Sequence, residues 1–199
     1  LARQGFKACI VEQADCLGGH ALKLKKTWKG EDVPSYVSAL VKEVQAHPDI
    51  DVHLGCRVMS TSGYLGNFKT VAGADGDNGT REIEHGVTII ATGAHSIRPD
   101  EYLYGRNPRV FRWHDLDAAW ESDVVRNASS AVFIQCVGSR EPQRPHCSKI
   151  CCTFAVQKAV ELKELHPDMD VYVIYRDIRT FGEREDLSKE ARRRGVVFI

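Results

Sequence analysis

Apolar and polar positions along this chain follow two alternating periods. Phe6-Lys7-Ala8-Cys9-Ile10-Val11-Glu12 is a short apolar run ending in an acid, and its length and β-branched content predict a strand. Residues 13–31 are polar and glycine-containing, a loop. Asp32 offers an N-cap with Pro34 in the first turn. Val37, Leu40, Val41 and Val44 then recur at helical spacing until His47-Pro48 stops the pattern. Ile50-Asp51-Val52-His53-Leu54 predicts a second strand, continuing weakly through Arg57-Val58-Met59. Turn signals at Ser62-Gly63, Gly66-Asn67 and Asp75-Gly76-Asp77-Asn78-Gly79 predict a hairpin or meander over 60–85.

Gly86-Val87-Thr88-Ile89-Ile90-Ala91 is a β-branched run of the kind found in strands buried on both faces. An irregular crossing over 95–113 leads to a short helix near 114–122. Ser130-Ala131-Val132-Phe133-Ile134 predicts another buried strand. A helix over about 152–165, a strand over 170–175, a helix over 184–194 and a terminal strand complete the pattern. Strand and helix in alternation predict an α/β fold with a parallel sheet covered on both faces. The join between two lobes is expected near 122–129, dividing 1–125 from 126–199.

Composition narrows the function classes. With 27 basic and 27 acidic residues in 199, no charge excess argues for nucleic-acid binding. No apolar run approaches the roughly 20 residues of a membrane-spanning helix. Leu1-Ala2-Arg3-Gln4-Gly5 looks like the end of a helix and Val196-Val197-Phe198-Ile199 like a strand cut short, so a piece of a longer polypeptide is expected. The cysteine count is seven, which prevents complete internal disulfide pairing. Four of the seven fall between 136 and 152, which favours clustered thiolates in a reducing cytoplasm over a secreted disulfide scaffold.

Three constellations carry chemistry. Glu12 closes the first strand, with Gly18-Gly19 six residues later. In a dinucleotide-binding βαβ unit, an acid at the end of the second strand bonds the ribose, about 20 residues after a glycine-rich turn. Counting back places that turn ahead of Leu1. The plain alternative is a surface strand that happens to end in Glu. Next, Thr88-Ile89-Ile90-Ala91-Thr92-Gly93-Ala94 ends a run in residues with little side chain, which lets backbone approach a cofactor closely; the alternative is a core strand and its turn. Third, Cys136, Cys147, Cys151 and Cys152 are spaced C-x10-C-x3-C-C. Four thiolates match the ligand set of a [4Fe–4S] cluster. Zinc, a redox disulfide and buried structural thiols remain open, although zinc favours paired knuckles and adjacent cysteines form only a strained ring.

Glu12, Gly18-Gly19 and Ala91-Thr92-Gly93, in this order, resemble the FAD domain of the two-dinucleotide-binding-domain flavoproteins. Phe133-Ile134-Gln135-Cys136-Val137-Gly138-Ser139-Arg140, the C-S-x-x-C-C after it, and Tyr175-Arg176-Asp177-Ile178-Arg179-Thr180-Phe181-Gly182 resemble the A subunit of heterodisulfide reductase. So do Gly66-Asn67-Phe68 and Tyr102-Leu103-Tyr104-Gly105. The quinone-interacting oxidoreductase subunits of sulfate reducers share much of this pattern.

The resemblance implies a thioredoxin-reductase-like fold truncated at both ends. It implies FAD and a [4Fe–4S] cluster as cofactors, with electrons passing between them, and flavin-based bifurcation in the family. Other subunits of the complex and ferredoxin are the implied partners. Carried over by position, Glu12 would hold the ribose, Gly18 and Gly19 would lie along the nucleotide, the backbone of Val58 would meet the adenine edge, and Ala91, Thr92 and Gly93 would pass near the cofactor. Cys136, Cys147, Cys151 and Cys152 would be the cluster ligands. A piece of this kind is expected to hold flavin weakly or not at all and to be inactive alone.

Two departures stand out. Relatives place a lysine five residues beyond the cysteine pair where this chain has Gln157, with Lys158 one step, or about 100° of helix, further on. The ferredoxin-like insertion common in the family is reduced to 60–85. A G-x-G-x-x-G turn is absent after 130–134, where Gln135-Cys136-Val137-Gly138-Ser139 stands, which argues against NAD(P) here. The rival readings are a quinone-linked carrier of sulfur metabolism and a metal-stapled docking scaffold. Cys9 is expected to be a core thiol and Cys16 a small loop residue, while Cys56 is ambiguous. The histidines are expected at surfaces or helix ends, and Arg184, Arg192, Arg193 and Arg194 on a solvated helix face.

Overall fold

The computed structural model describes residues 1–74 and 79–199, so the turn expected at 75–79 lies, except for Gly79, outside the described residues. The chain divides into two units. The first holds Leu1–Leu22 and Asp32–His95, the second Lys23–Glu31 and Ser96–Ile199.

In the first unit, a single 3-10 turn over Ala2–Gln4 ends at Gly5, whose left-handed backbone returns its N–H to Ala2 O. Strand β1 (Ala8–Val11) pairs in parallel with β2 (Ile50–His53). Helix α1 (Val33–Ala46) connects them. Its start is the expected one: the Asp32 carboxylate accepts from Ser35 N at 2.9 Å, with Pro34 in the first turn. Val33 and Val37 are its buried residues. Strands β3 (Arg57–Tyr64), β4 (Asn67–Gly73) and β5 (Arg81–His85) form the expected meander as a separate antiparallel sheet.

One turn signal there is corrected. Ser62-Gly63 lies within β3, not at a turn. Gly63 opposes Phe68 with φ of 100°, and a Cβ on it would come within 2.1 Å of Asn67 O. The glycine is there because the neighbouring backbone passes too close for a side chain.

The run Gly86–Ala91 is also corrected. It is not a strand, and Val87, Ile89 and Ile90 are 66%, 68% and 82% exposed. A β-branched run becomes a strand only where neighbours complete its ladder. β1 and β2 pair with each other, and among the described residues no strand pairs with 86–91. Cys9, expected in a core, is exposed for the same reason: its face of β1 is uncovered.

The second unit contains helices α2 (Trp113–Ala119) and α3 (Asp123–Arg126), then a parallel sheet of β6 (Ser130–Ile134), β7 (Asp170–Ile174) and β8 (Val197–Phe198) in that order. Helices α4 (Cys151–Leu165) and α5 (Glu185–Arg193) pack together, and α4 packs on β7. Val156, Ala159, Leu162, Val171, Val173 and Ala191 form the heart of its core. β6, expected to be buried, is an edge strand with Val132 54% exposed. The expected join at 122–129 falls inside this unit. α2 belongs with α4, because Trp113 meets Phe154 edge-on at 5.2 Å and Asp117 pairs with Lys158.

Candidate cofactor and metal site

The nucleotide-facing candidates lie in the first unit. Glu12 follows β1, its N–H bonded to His53 O at 2.9 Å, and its carboxylate accepts from Ala14 N at 2.8 Å. That bond tightens the first turn of the loop leading to the glycine pair. Gly18 has φ of 118°, and a Cβ there would meet Leu22 at 2.8 Å and Val37 at 3.2 Å, so the position is closed to a side chain. Gly19 and Gly93 have φ of 49° and 66°, and nothing lies within 4 Å of the point a Cβ would occupy on either. Both present bare backbone to open space, which suits the approach of a nucleotide. Ala91, Thr92 and Gly93 are exposed and without regular structure. Val58 stands in β3 opposite Ala72, beside a bulge between Val58 and Ser60, and is 56% exposed.

Side chains anchor the irregular segment at both ends. His20 Nε2 lies 2.6 Å from Ala94 O, and His85 Nδ1 lies 3.2 Å from Val87 O. A carbonyl only accepts, so each of those ring nitrogens carries the hydrogen. His85 Nε2 then accepts from Thr70 Oγ1 at 2.8 Å, and Thr70 Oγ1 is 2.9 Å from Thr61 Oγ1. A hydroxyl chain thus runs across the meander to the start of the segment. The sequence does not reveal these histidine roles, because their partners are distant along the chain and are carbonyls that any residue supplies.

The cysteines lie in the second unit. Cys136 follows β6 in a left-handed backbone conformation, as do Arg140 and Lys149. Ser139 Oγ donates to His146 O at 3.0 Å and Glu141 bridges to Arg144, closing the loop between the first two cysteines. Cys147 Sγ accepts from Lys149 N at 3.3 Å. Cys151 and Cys152 open α4, whose first N–H groups have no partner within the helix. The Cys152 thiol donates toward Cys151 and, with lesser help from Ser148 and the backbone N–H groups of both cysteines, lowers its pKa to about 6. Cys152 is raised, first by that same bond and then by burial. It is 3% exposed and turned to Asp177 O at 4.0 Å. The Asp177 carboxylate is held between Arg179 and Arg140, and their hydrogen bonds lower its pKa.

All seven thiols are free. Among the described residues no three His, Cys, Asp or Glu side chains converge closely enough to hold a metal ion. The four thiols suit an iron–sulfur cluster as a donor set; Cys151 and Cys152 are hydrogen-bonded to each other, and Cys136 lies near enough to Cys152 to act on its charge. A cavity of about 230 Å³ opens at the C-terminal ends of β6 and β7, lined by Gln135, Cys136, Tyr175 and Arg176 among others, where parallel sheets commonly bind ligands.

The departures at 157 and 158 have a structural account. Gln157 Nε2 donates to Glu161 Oε1 at 2.8 Å and to Thr27 O at 3.4 Å. Lys158 is buried, 2.6 Å from Asp117 and 2.8 Å from Glu161, with its ammonium 4.5 Å from the Trp120 ring centroid. Both side chains are engaged within their own unit.

No family model matches the chain. Over 297 aligned residues it is 26% identical to an iron–sulfur A subunit of the CoB–CoM heterodisulfide reductase of Methanopyrus kandleri, covering 100% of this chain and 44% of the relative. Over 136 residues it is 35% identical to the A subunit of the H(2):CoB-CoM heterodisulfide,ferredoxin reductase of Methanothermobacter thermautotrophicus, covering 59% and 21%. The chain is similar to the heterodisulfide reductase A subunits. It spans about half or less of the curated A subunits it matches, and the longer alignment exceeds its 199 residues, so that relative carries internal residues with no counterpart here. In fold, the chain is similar to the flavoprotein disulfide reductase RclA of Escherichia coli, with a TM-score of 0.54 at 15% identity, over 100% of this chain and 44% of that one. The parallel α/β architecture accords with that likeness. Among the described residues no helix is long and apolar enough to cross a membrane.

Proposed function

We propose that this chain is the flavin- and cluster-binding portion of an oxidoreductase similar to the A subunit of heterodisulfide reductase, passing electrons between FAD and a [4Fe–4S] cluster. The observation that supports this reading is the cysteine set: four cysteines close together in sequence between 136 and 152, the last two opening α4, in a chain whose whole length aligns with a protein named as an iron–sulfur subunit. Cys136, Cys147, Cys151 and Cys152 would hold the cluster, which supplies a one-electron site when bound. Glu12, Gly18, Gly19, Val58, Ala91, Thr92 and Gly93 would hold the FAD, with Gly19 and Gly93 offering backbone that a nucleotide can approach.

Several relatives carry ferredoxin in their names, and ferredoxin and further subunits of such a complex are the partners we propose. The engagement of Gln157 and Lys158 within α4 and its neighbours supports plain electron transfer over bifurcation. The free thiols fit a reducing cytoplasm.

Anaerobic purification with iron, sulfide and zinc analysis of wild type and Cys151→Ser tests the reading. About four irons and four sulfides per chain, lost in the variant, are expected. Zinc, or no metal, unchanged in the variant, overturns it.

A further inference from the structure

We propose that His20 is a positioning residue for the nucleotide, latching the Gly18-Gly19 turn to the Ala91-Thr92-Gly93 segment. This rests on the flavin reading above and adds a residue to it.

The latch joins the two segments by a single side chain across 74 positions of sequence, His20 Nε2 donating to Ala94 O at 2.6 Å. Its near end is fixed. Gly18 admits no side chain against Leu22 and Val37, and Ala21 N closes the turn on Gly18 O at 3.0 Å. The direction in which His20 leaves the 3-10 turn over Gly19–Lys23 is therefore set by packing beneath it. Its far end needs fixing. Residues 87–94 belong to no strand, so no ladder of backbone bonds determines where Ala91, Thr92 and Gly93 stand. His85 holds the start of this stretch at Val87 O and His20 its end at Ala94 O. Between them run the small residues whose backbone is open to a ligand.

The chemistry demands only an N–H at Nε2, which both the neutral Nε2–H tautomer and the imidazolium supply. Gln can place an amide N–H at a similar reach, and Ala cannot. A residue acting in this way lowers the cost of ordering two flexible segments around a dinucleotide. It need not touch the dinucleotide itself.

The test is equilibrium titration of the full chain with FAD, for wild type, His20→Ala and His20→Gln, read by flavin fluorescence. It is accompanied by backbone hydrogen exchange over 87–94. The expected result is a roughly fivefold to tenfold weaker FAD affinity in His20→Ala, the scale of one lost hydrogen bond. Faster exchange over 87–94 should accompany it, and His20→Gln should restore both. Equal affinity in all three proteins overturns the latch and leaves the flavin reading standing. Failure of Gln to rescue while Ala weakens binding also overturns it, since the hydrogen bond is then not the cause. No FAD bound by wild type at any concentration overturns the positioning role in this chain.

Discussion

The two units each contain a parallel sheet, and only one of these sheets has buried strand residues. β7 lies between β6 and β8, with Val171 and Val173 1% and 0% exposed beneath α4 and α5. β1 and β2 pair over four residues each and contain no buried residue. The local sequences are similar in kind, Ala-Cys-Ile-Val against Asp-Val-Tyr-Val-Ile. Burial therefore comes from what flanks a strand, a third strand at its free edge and a helix over its face, and pairing alone does not supply it.

The largest effect that sharpens this contrast is at Lys158. Lys158→Ala leaves Asp117, whose side chain is 5% exposed, without its nearest counter-charge, and is expected to cost about 3–5 kcal/mol. Trp28, Trp113 and Trp120 are the three tryptophans of the chain and all lie in the second unit, so denaturant unfolding followed by tryptophan fluorescence reads that unit alone. A loss under about 1 kcal/mol would show that the pair is solvated and the interior less closed than its packing implies.

Next is a paired comparison of apolar truncations. Leu162→Ala, at 3% exposure in the core of the second unit, should cost about 2–5 kcal/mol. Ile90→Ala, at 82% exposure, should change stability by less than about 0.5 kcal/mol. Comparable losses would mean that the 86–91 run is packed in solution, and the contrast between units would fail.

The smallest effect is electrostatic. The Arg112 hydrogen bond, helped by Tyr104, holds the Asp115 carboxyl at about 2 against an ordinary 3.8. A depressed folded-state pKa contributes stability that is fully present above the unfolded value and is lost as pH falls through the folded one. The denaturant midpoint of the second unit should therefore drop between about pH 4 and pH 2, and drop less in Asp115→Asn. Parallel acid profiles for the two proteins would remove Asp115 from the account.

Features set by neighbours in sequence were legible. Asp32 and Pro34 mark the start of α1, His47-Pro48 its stop, and the spacing of Val37, Val41 and Val44 its covered face, because caps and helix periodicity act over a few residues, while Leu40 is exposed. Gly66-Asn67 marks a true turn, while Ser62-Gly63 does not. The same glycine that frees a backbone to turn also lets a neighbouring strand pass at Asn67. Ile89-Ile90 misleads for a different reason: a β-branched run reports readiness to pair, and whether a partner exists is decided elsewhere in the chain. The candidate site divides likewise. Cysteine spacing and the glycine pair can be read as a string, whereas the partners of His20, His85 and Lys158 emerge only once Ala94, Val87 and Asp117 are brought near.

Residues 23–31 have a further consequence for how the chain acquires its form. They belong to the second unit, held there by Gln157 on Thr27 O and by Lys29 on Glu183, yet the residues on either side of them belong to the first. The Thr27–Gln157 contact spans 130 positions, so closing it restricts most of the polypeptide for the return of one modest bond. On a ribosome, the strap emerges long before the helix that receives it. No single cut separates the units with every residue still beside its own neighbours, so a truncation after His95 would release a stretch of chain whose dock had never been made.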